Sequence, residues 1–277
     1  MAKCALIGNP VSHSKSPALF AAAYGTGKHS YSLIEAPTCK EAMDIFRAEG
    51  FTGTNVTSPF KDEIMDYTDL PDSISSILGS ANTIISTNGK LCSYNTDYFG
   101  VKNTLEAFLP AAGNTGAKFC APEGTHPHLR NNGTHFCAPE ELTALVVGAG
   151  GAGKAAALAV KDMGMEVYFA NRSSSAAKPF AQKIGAEYVT LDHIPLFLPK
   201  ADILVYNLSM EIDALKGVSL AGKIVFEANY AYPNLACKES KIYIDGRYWL
   251  YNQAIPAFRL FTGDEPDATA MAQVLGL

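Results

Sequence analysis

The chain has 277 residues, 48% hydrophobic and 18% charged, with a formal net charge of -5. That is ordinary globular composition, long enough for a full core and two domains, and the acidic balance offers no electrostatic footprint for nucleic acid or an anionic membrane. No apolar run reaches bilayer length, the N-terminal apolar stretch is too short for a signal peptide, and six scattered cysteines read as reduced thiols of a cytoplasmic protein.

The first part of the chain alternates strand and helix. Cys4 to Ile7 is a short buried-strand run, Ser16-Pro17 opens a helix through Tyr24, and Ser30 to Glu35 alternates as a strand. Thr38 and Glu41 form a capping box for a helix that Gly50 closes. Phe51 to Thr57 is the next strand. Ser58 then reads as a helix cap with Pro59 at the first helical position, which places Lys61 in a first helical turn. A cation there meets the partial positive charge of the helix start, so Lys61 stands out as a candidate proton donor or acceptor, against the plainer reading of a solvated surface lysine. Asn88-Gly89 joins strands Asn82–Ser86 and Leu91–Tyr94 in a hairpin, and Asp97 precedes a helix over 98–108. Asp97 is open to two readings, an N-cap or a functional carboxylate. Ser14 and Ser16 are likewise open between turn chemistry and ligand binding. This βα repetition predicts a largely parallel sheet with helices packed on it.

A second unit starts near Leu142. A buried strand over 142–147 runs into Gly148-Ala149-Gly150-Gly151-Ala152-Gly153 and an alanine-rich helix to Met163. Strand, glycine turn and helix in that order are the context in which G-x-G-x-x-G binds a dinucleotide, with phosphates at the helix N-terminus. Glu166 to Ala170 is the next strand, and Asn171-Arg172-Ser173-Ser174-Ser175 follows it. A cation among small hydroxyls there suits a 2′-phosphate, so NADP is favoured over NAD; an exposed arginine without that role is the alternative. Strands over 201–206 and 223–226 follow, then helices over 249–261 and 268–275 that would pack back on the first unit.

Residues 110–141 form an insert rich in Gly, Pro, Asn and Thr, in which Phe119 to Glu123 recurs as Phe136 to Glu140. Cys120, His126, His128, His135 and Cys137 are soft ligands that zinc would order, and a duplicated loop explains the repeat equally well.

Val11 to Pro17, Asn55 to Lys61, Asn82-Thr83 and Asn95-Thr96-Asp97 occur in that order, followed by the glycine turn and Asn171-Arg172. Over nearly the whole chain apart from the insert, this resembles the shikimate dehydrogenase family. The resemblance implies an α/β fold. An N-terminal substrate domain (1–109 with 249–277) would stand beside a Rossmann-type, doubly wound NADP-binding domain (142–248). It implies reduction of 3-dehydroshikimate to shikimate in chorismate and aromatic amino-acid biosynthesis, by a monomer or homodimer. Lys61 and Asp97 would be the catalytic pair. Ser14, Ser16, Asn55, Thr57, Asn82, Tyr230 and Gln253 would hold the substrate, and Gly148, Gly150, Gly151, Ala152, Gly153, Asn171, Arg172, Ser173 and Gly246 the cofactor.

The chain departs from the family's pattern at the nicotinamide end. Where the family has D-G-L-G-M, this sequence has Asp245-Gly246-Arg247-Tyr248-Trp249; Ile212 replaces a glycine, Ala228 a methionine, and Ala176 a second cation, with Lys178 nearby. These changes bear on the choice of NADP over NAD. A relative accepting quinate or NAD, and a ligand-binding homologue without efficient hydride transfer, are the alternatives. Retention of Lys61 and Asp97 speaks against the last.

Overall fold

Residues 1–109 and 142–277 are described by a computed structural model. Among them, 1–99 and 251–277 form one unit, and 100–109 and 142–250 a second. Each is built on a six-stranded sheet.

The first unit contains β1 (Lys3–Gly8), α1 (Ser16–Tyr24), β2 (Ser30–Glu35), α2 (Cys39–Ala48), β3 (Gly53–Val56), β4 (Leu70–Pro71), α3 (Ser73–Leu78), β5 (Thr83–Thr87) and β6 (Lys90–Tyr94), and the start of α4 (Asp97–Phe108). The strand order is β2-β1-β3-β5-β6-β4. β1 runs parallel to β2 and β3, whereas β5 is antiparallel to both β3 and β6, so the sheet is mixed rather than parallel throughout. Local chemistry fixes the pieces. Thr38 accepts the Glu41 N–H at 3.2 Å as the N-cap of α2. Cys39, Ala42, Met43 and Phe46, spaced for one helix face, are buried with Ala5, Ile7, Val56 and Ile84. Asn88 and Gly89 both take positive φ, as the tight hairpin turn requires.

One expectation fails here. Ser58 and Pro59 do not start an α-helix. The Ser58–Pro59 bond is cis, residues 58–62 are turns, and only a 3-10 helix, Glu63–Tyr67, follows. Lys61 therefore lies in that turn and not in the first turn of an α-helix.

The second unit contains β7 (Thr143–Val147), α5 (Gly151–Asp162), β8 (Glu166–Asn171), α6 (Ser174–Ile184), β9 (Glu187–Thr190), α7 (Ile194–Phe197), β10 (Ile203–Tyr206), β11 (Leu220–Glu227) and β12 (Ser240–Asp245). Its order, β12-β11-β10-β7-β8-β9, is entirely parallel. Counting from β7, this is the doubly wound order of dinucleotide-binding sheets, with the switch point between β7 and β10. The chain returns to the first unit within α8 (Gly246–Thr262), and α9 (Ala268–Leu275) packs on α1, where Asp267 N–H donates to the Ala23 carbonyl at 2.9 Å.

Candidate active site

In the first unit, the ends of β3, β5 and β6 bring four short polar motifs to one place. Asn82 immediately precedes β5, and its Oδ1 accepts the Thr96 N–H at 2.7 Å, the Thr96 hydroxyl at 3.1 Å and the Thr83 hydroxyl at 3.1 Å. The Asn82 amide donates to Gln253 Oε1 at 3.4 Å, and that same oxygen lies 3.1 Å from the Thr96 hydroxyl, whose single hydrogen serves either it or Asn82 Oδ1. Asn55, on β3, donates to the Asn82 carbonyl and to Thr83 Oγ1, and accepts the Tyr31 hydroxyl at 2.7 Å. The network is composed of neutral groups and is almost wholly buried: Asn55, Asn82, Thr83 and Thr96 all lie inside.

Asp97 follows directly. It is the first residue of α4, and its Oδ2 stands 2.6 Å from Lys61 Nζ. The two side chains are 8% and 16% exposed, so this pair is little screened by water yet not sealed from a ligand. The Lys61 backbone is pinned from behind, its carbonyl accepting Ala81 N–H at 2.8 Å and the Ser80 hydroxyl at 3.2 Å. Ser14 and Ser16 are hydrogen-bonded to each other at 3.2 Å, and Ser14 Oγ also accepts the Ser16 N–H, so turn chemistry operates there. It does not cap α1, whose N-cap is Lys15 with no side-chain capping bond. Thr57 lies just beyond β3, its N–H on the Ile7 carbonyl. Thus Lys61, Asp97, Asn55, Asn82 and Gln253 form one bonded neighbourhood. Tyr230 belongs to the second unit, after β11, where it is half-buried, and burial raises its phenol pKa.

In the second unit, Gly148 takes φ +103°, and a Cβ at Gly153 would meet the Gly148 carbonyl oxygen at 1.8 Å. The first and third glycines are thus required by the turn itself. At Gly150 a Cβ would meet nothing within 4 Å, so that glycine leaves room beside the backbone. The first intrahelical bond of α5 is Lys154 N–H to Gly150 O at 2.9 Å, so the N–H groups of Gly151, Ala152 and Gly153 precede it. An open glycine at a twelve-residue helix's N-terminus fits a pyrophosphate. Asn171 ties this turn to the end of β8 by accepting the Ala149 N–H at 3.3 Å. Arg172 and Ser173 are exposed, with Ser173 and Ser175 hydroxyls 2.8 Å apart. A Cβ at Gly246 would meet the Ala228 carbonyl oxygen at 2.3 Å, so close packing at the start of α8 already demands glycine there.

Known proteins share both halves of this arrangement. The family model "Shikimate dehydrogenase substrate binding domain" matches residues 6–84, and "Shikimate / quinate 5-dehydrogenase" matches 134–216. A shikimate dehydrogenase (NADP(+)) of Natronomonas pharaonis is 34% identical, covering 98% of this chain and 97% of that protein. The chain belongs to the shikimate dehydrogenase family. A shikimate dehydrogenase (NADP(+)) of Pyrococcus furiosus is 30% identical over 97% of this chain and 93% of that protein. Among solved structures, shikimate dehydrogenase from Aquifex aeolicus superposes with a TM-score of 0.81 at 26% identity, covering 99% of this chain and 97% of that one. The Thermus thermophilus enzyme in complex with NADP(H) and shikimate gives a TM-score of 0.73 at 26% identity, covering 100% of this chain and 99% of that one.

The same neighbourhood contains residues that sequence reasoning passed over. Thr83 and Thr96 lie inside the motifs Asn82-Thr83 and Asn95-Thr96-Asp97, and their position beside the chosen residues was the available signal. Tyr31 had none, because it reaches Asn55 across the sheet from β2. Glu227, at the end of β11, is wholly buried and accepts Asn234 N–H at 2.5 Å, Leu235 N–H at 3.0 Å, Asn234 Nδ2 at 3.0 Å and the Tyr243 hydroxyl at 2.9 Å. It clamps the segment that carries Tyr230. The soft ligands of the insert lie outside the described residues.

Proposed function

We propose that this chain is an NADP-dependent shikimate dehydrogenase that reduces 3-dehydroshikimate to shikimate. The observation that carries this reading is the mostly enclosed Lys61–Asp97 pair adjoining a buried network of neutral amides and hydroxyls. Such a surrounding suits a small ligand with several hydroxyls, and the pair supplies a proton where one is needed. Bound NADPH supplies the hydride, and Gly148, Gly150, Gly151, Ala152, Gly153, Asn171, Arg172, Ser173 and Gly246 are the residues that would hold it. Lys61 gives its proton to the oxygen that changes from ketone to hydroxyl. Asp97 keeps the ammonium aimed and accepts from a neighbouring substrate hydroxyl. Ser14, Ser16, Thr57 and Tyr230 would meet the carboxylate and remaining hydroxyls. Asn82 has one amide hydrogen beyond the one given to Gln253, and Asn55 has one acceptor lone pair beyond the one given to Tyr31. In this proposal 1–109 with 249–277 is the substrate domain, 142–248 the cofactor domain, and the enzyme is cytoplasmic. Among the described residues no helix is long and apolar enough to cross a membrane.

The test follows reduced nicotinamide by absorbance with shikimate or quinate against NADP or NAD. The expected result is fastest turnover for shikimate with NADP. Absence of turnover for every pairing would overturn the reading.

A further inference from the structure

Tyr31 is built like a rigid arm. Its ring lies 4.8 Å from that of Phe20 on α1 and 6.0 Å from that of Phe258 on α8, centroid to centroid. Phe20 and Phe258 are themselves buried. Apolar packing therefore sets where the phenol oxygen is, independently of the polar groups around it. That oxygen donates to Asn55 Oδ1 at 2.7 Å. Burial holds the phenol well above its ordinary range, so it remains a donor throughout neutral pH.

The consequences for Asn55 follow from counting. Its two amide hydrogens go to the Asn82 carbonyl and Thr83 Oγ1, so it can serve a ligand only through Oδ1. Tyr31 occupies one lone pair of that oxygen and points the other.

We propose that Tyr31 is a positioning residue of the substrate site, its hydroxyl holding the Asn55 amide in the orientation that receives a hydroxylated ligand. The inference rests on the functional reading above. Tyr31→Phe keeps the packed ring and deletes only the hydroxyl. Shikimate binding is measured by calorimetry and KM by steady-state assay, alongside KM for NADP and the melting temperature. Without the hydroxyl the Asn55 carbonyl is no longer aimed and its bond to the ligand is lost; at about 0.5–1.5 kcal/mol for such a bond, shikimate affinity should fall roughly two- to twelvefold. kcat should change less than KM, KM for NADP should stay within about twofold, and melting should remain cooperative. In an Asn55→Ala background the same change should have much less effect, because Tyr31 acts largely through Asn55. Unchanged shikimate affinity in Tyr31→Phe would overturn the inference, as would equal losses for shikimate and NADP or a variant that does not fold. A parent that binds NADP but not shikimate would instead bring down the functional reading, and this inference with it.

Discussion

Asn82 Oδ1 accepts both the N–H and the hydroxyl of Thr96, at 2.7 and 3.1 Å. The residue before Asp97 is therefore held at two points by a side chain from the neighbouring strand end. The Asp97 carboxylate enters α4 from a fixed position, and Lys61 is pinned through its own carbonyl. Both backbones are thus fixed independently, and the 2.6 Å ion pair then places the Lys61 ammonium. That is the preorganisation a proton-transfer site requires.

Lys61→Ala and Asp97→Asn should each lower kcat about a hundredfold or more, with a smaller change in shikimate affinity. General acid–base groups contribute roughly 10²–10⁴-fold. Steady-state kinetics across pH are the check, and near-normal turnover of Lys61→Ala would remove the lysine from the chemistry.

Arg172→Ala should weaken NADP much more than NAD, because only NADP offers a 2′-phosphate to this exposed guanidinium. A charge-assisted contact is worth about 1.5–3 kcal/mol, a difference of roughly tenfold or more in KM. An equal effect on the two cofactors would take Arg172 out of the phosphate site.

Glu227→Gln should destabilise the chain by about 2–3 kcal/mol in urea unfolding. The carboxylate accepts from two backbone N–H groups, an amide and a phenol, and an amide in its place turns one acceptor into a donor facing donors. Unaltered stability would mean that the segment after β11 is held by something else.

Asp72 gives a pH test. It caps α3 by accepting the Ser75 N–H at 2.7 Å, but its Oδ2 is buried without a partner, and burial raises its pKa above the ordinary 3.8. A raised folded-state pKa means the carboxyl favours folding only when protonated; that contribution is lost as pH rises through the folded value. Asparagine keeps the capping carbonyl and carries no charge. Asp72→Asn should be more stable than the parent at pH 7, with the advantage shrinking as pH falls toward 3.8. A gap that widens in acid would contradict this account.

Where local chemistry decides, the sequence was readable. The Thr38–Glu41 cap, the Asn88-Gly89 hairpin and the glycine turn after β7 each follow from a few adjacent residues and appear where expected. The substrate-side residues could be named through family resemblance, but their bonding could not, since Asn55, Asn82 and Gln253 meet only through the sheet and α8. Ser58-Pro59 misled because a small polar residue before proline also suits a turn, and nothing local separates the two. α6 went unread because Pro179 lies within it, and α3 because a serine-rich stretch has weak helical propensity despite its Asp72 cap and Gly79 stop. β12 is mostly half-exposed, leaving little hydrophobic pattern to see.

Gly150 and Gly153 are the same residue type three positions apart in one turn, yet they answer to different constraints. A methyl at Gly153 collides with the Gly148 carbonyl oxygen, so the polypeptide itself refuses it. A methyl at Gly150 meets no atom within 4 Å among the described residues, so the constraint expected there comes from an incoming molecule. A mutational scan scored once for abundance in cells and once for dehydrogenase-dependent growth would separate these constraints. Position 153 should be depleted in both screens, and position 150 in the second alone.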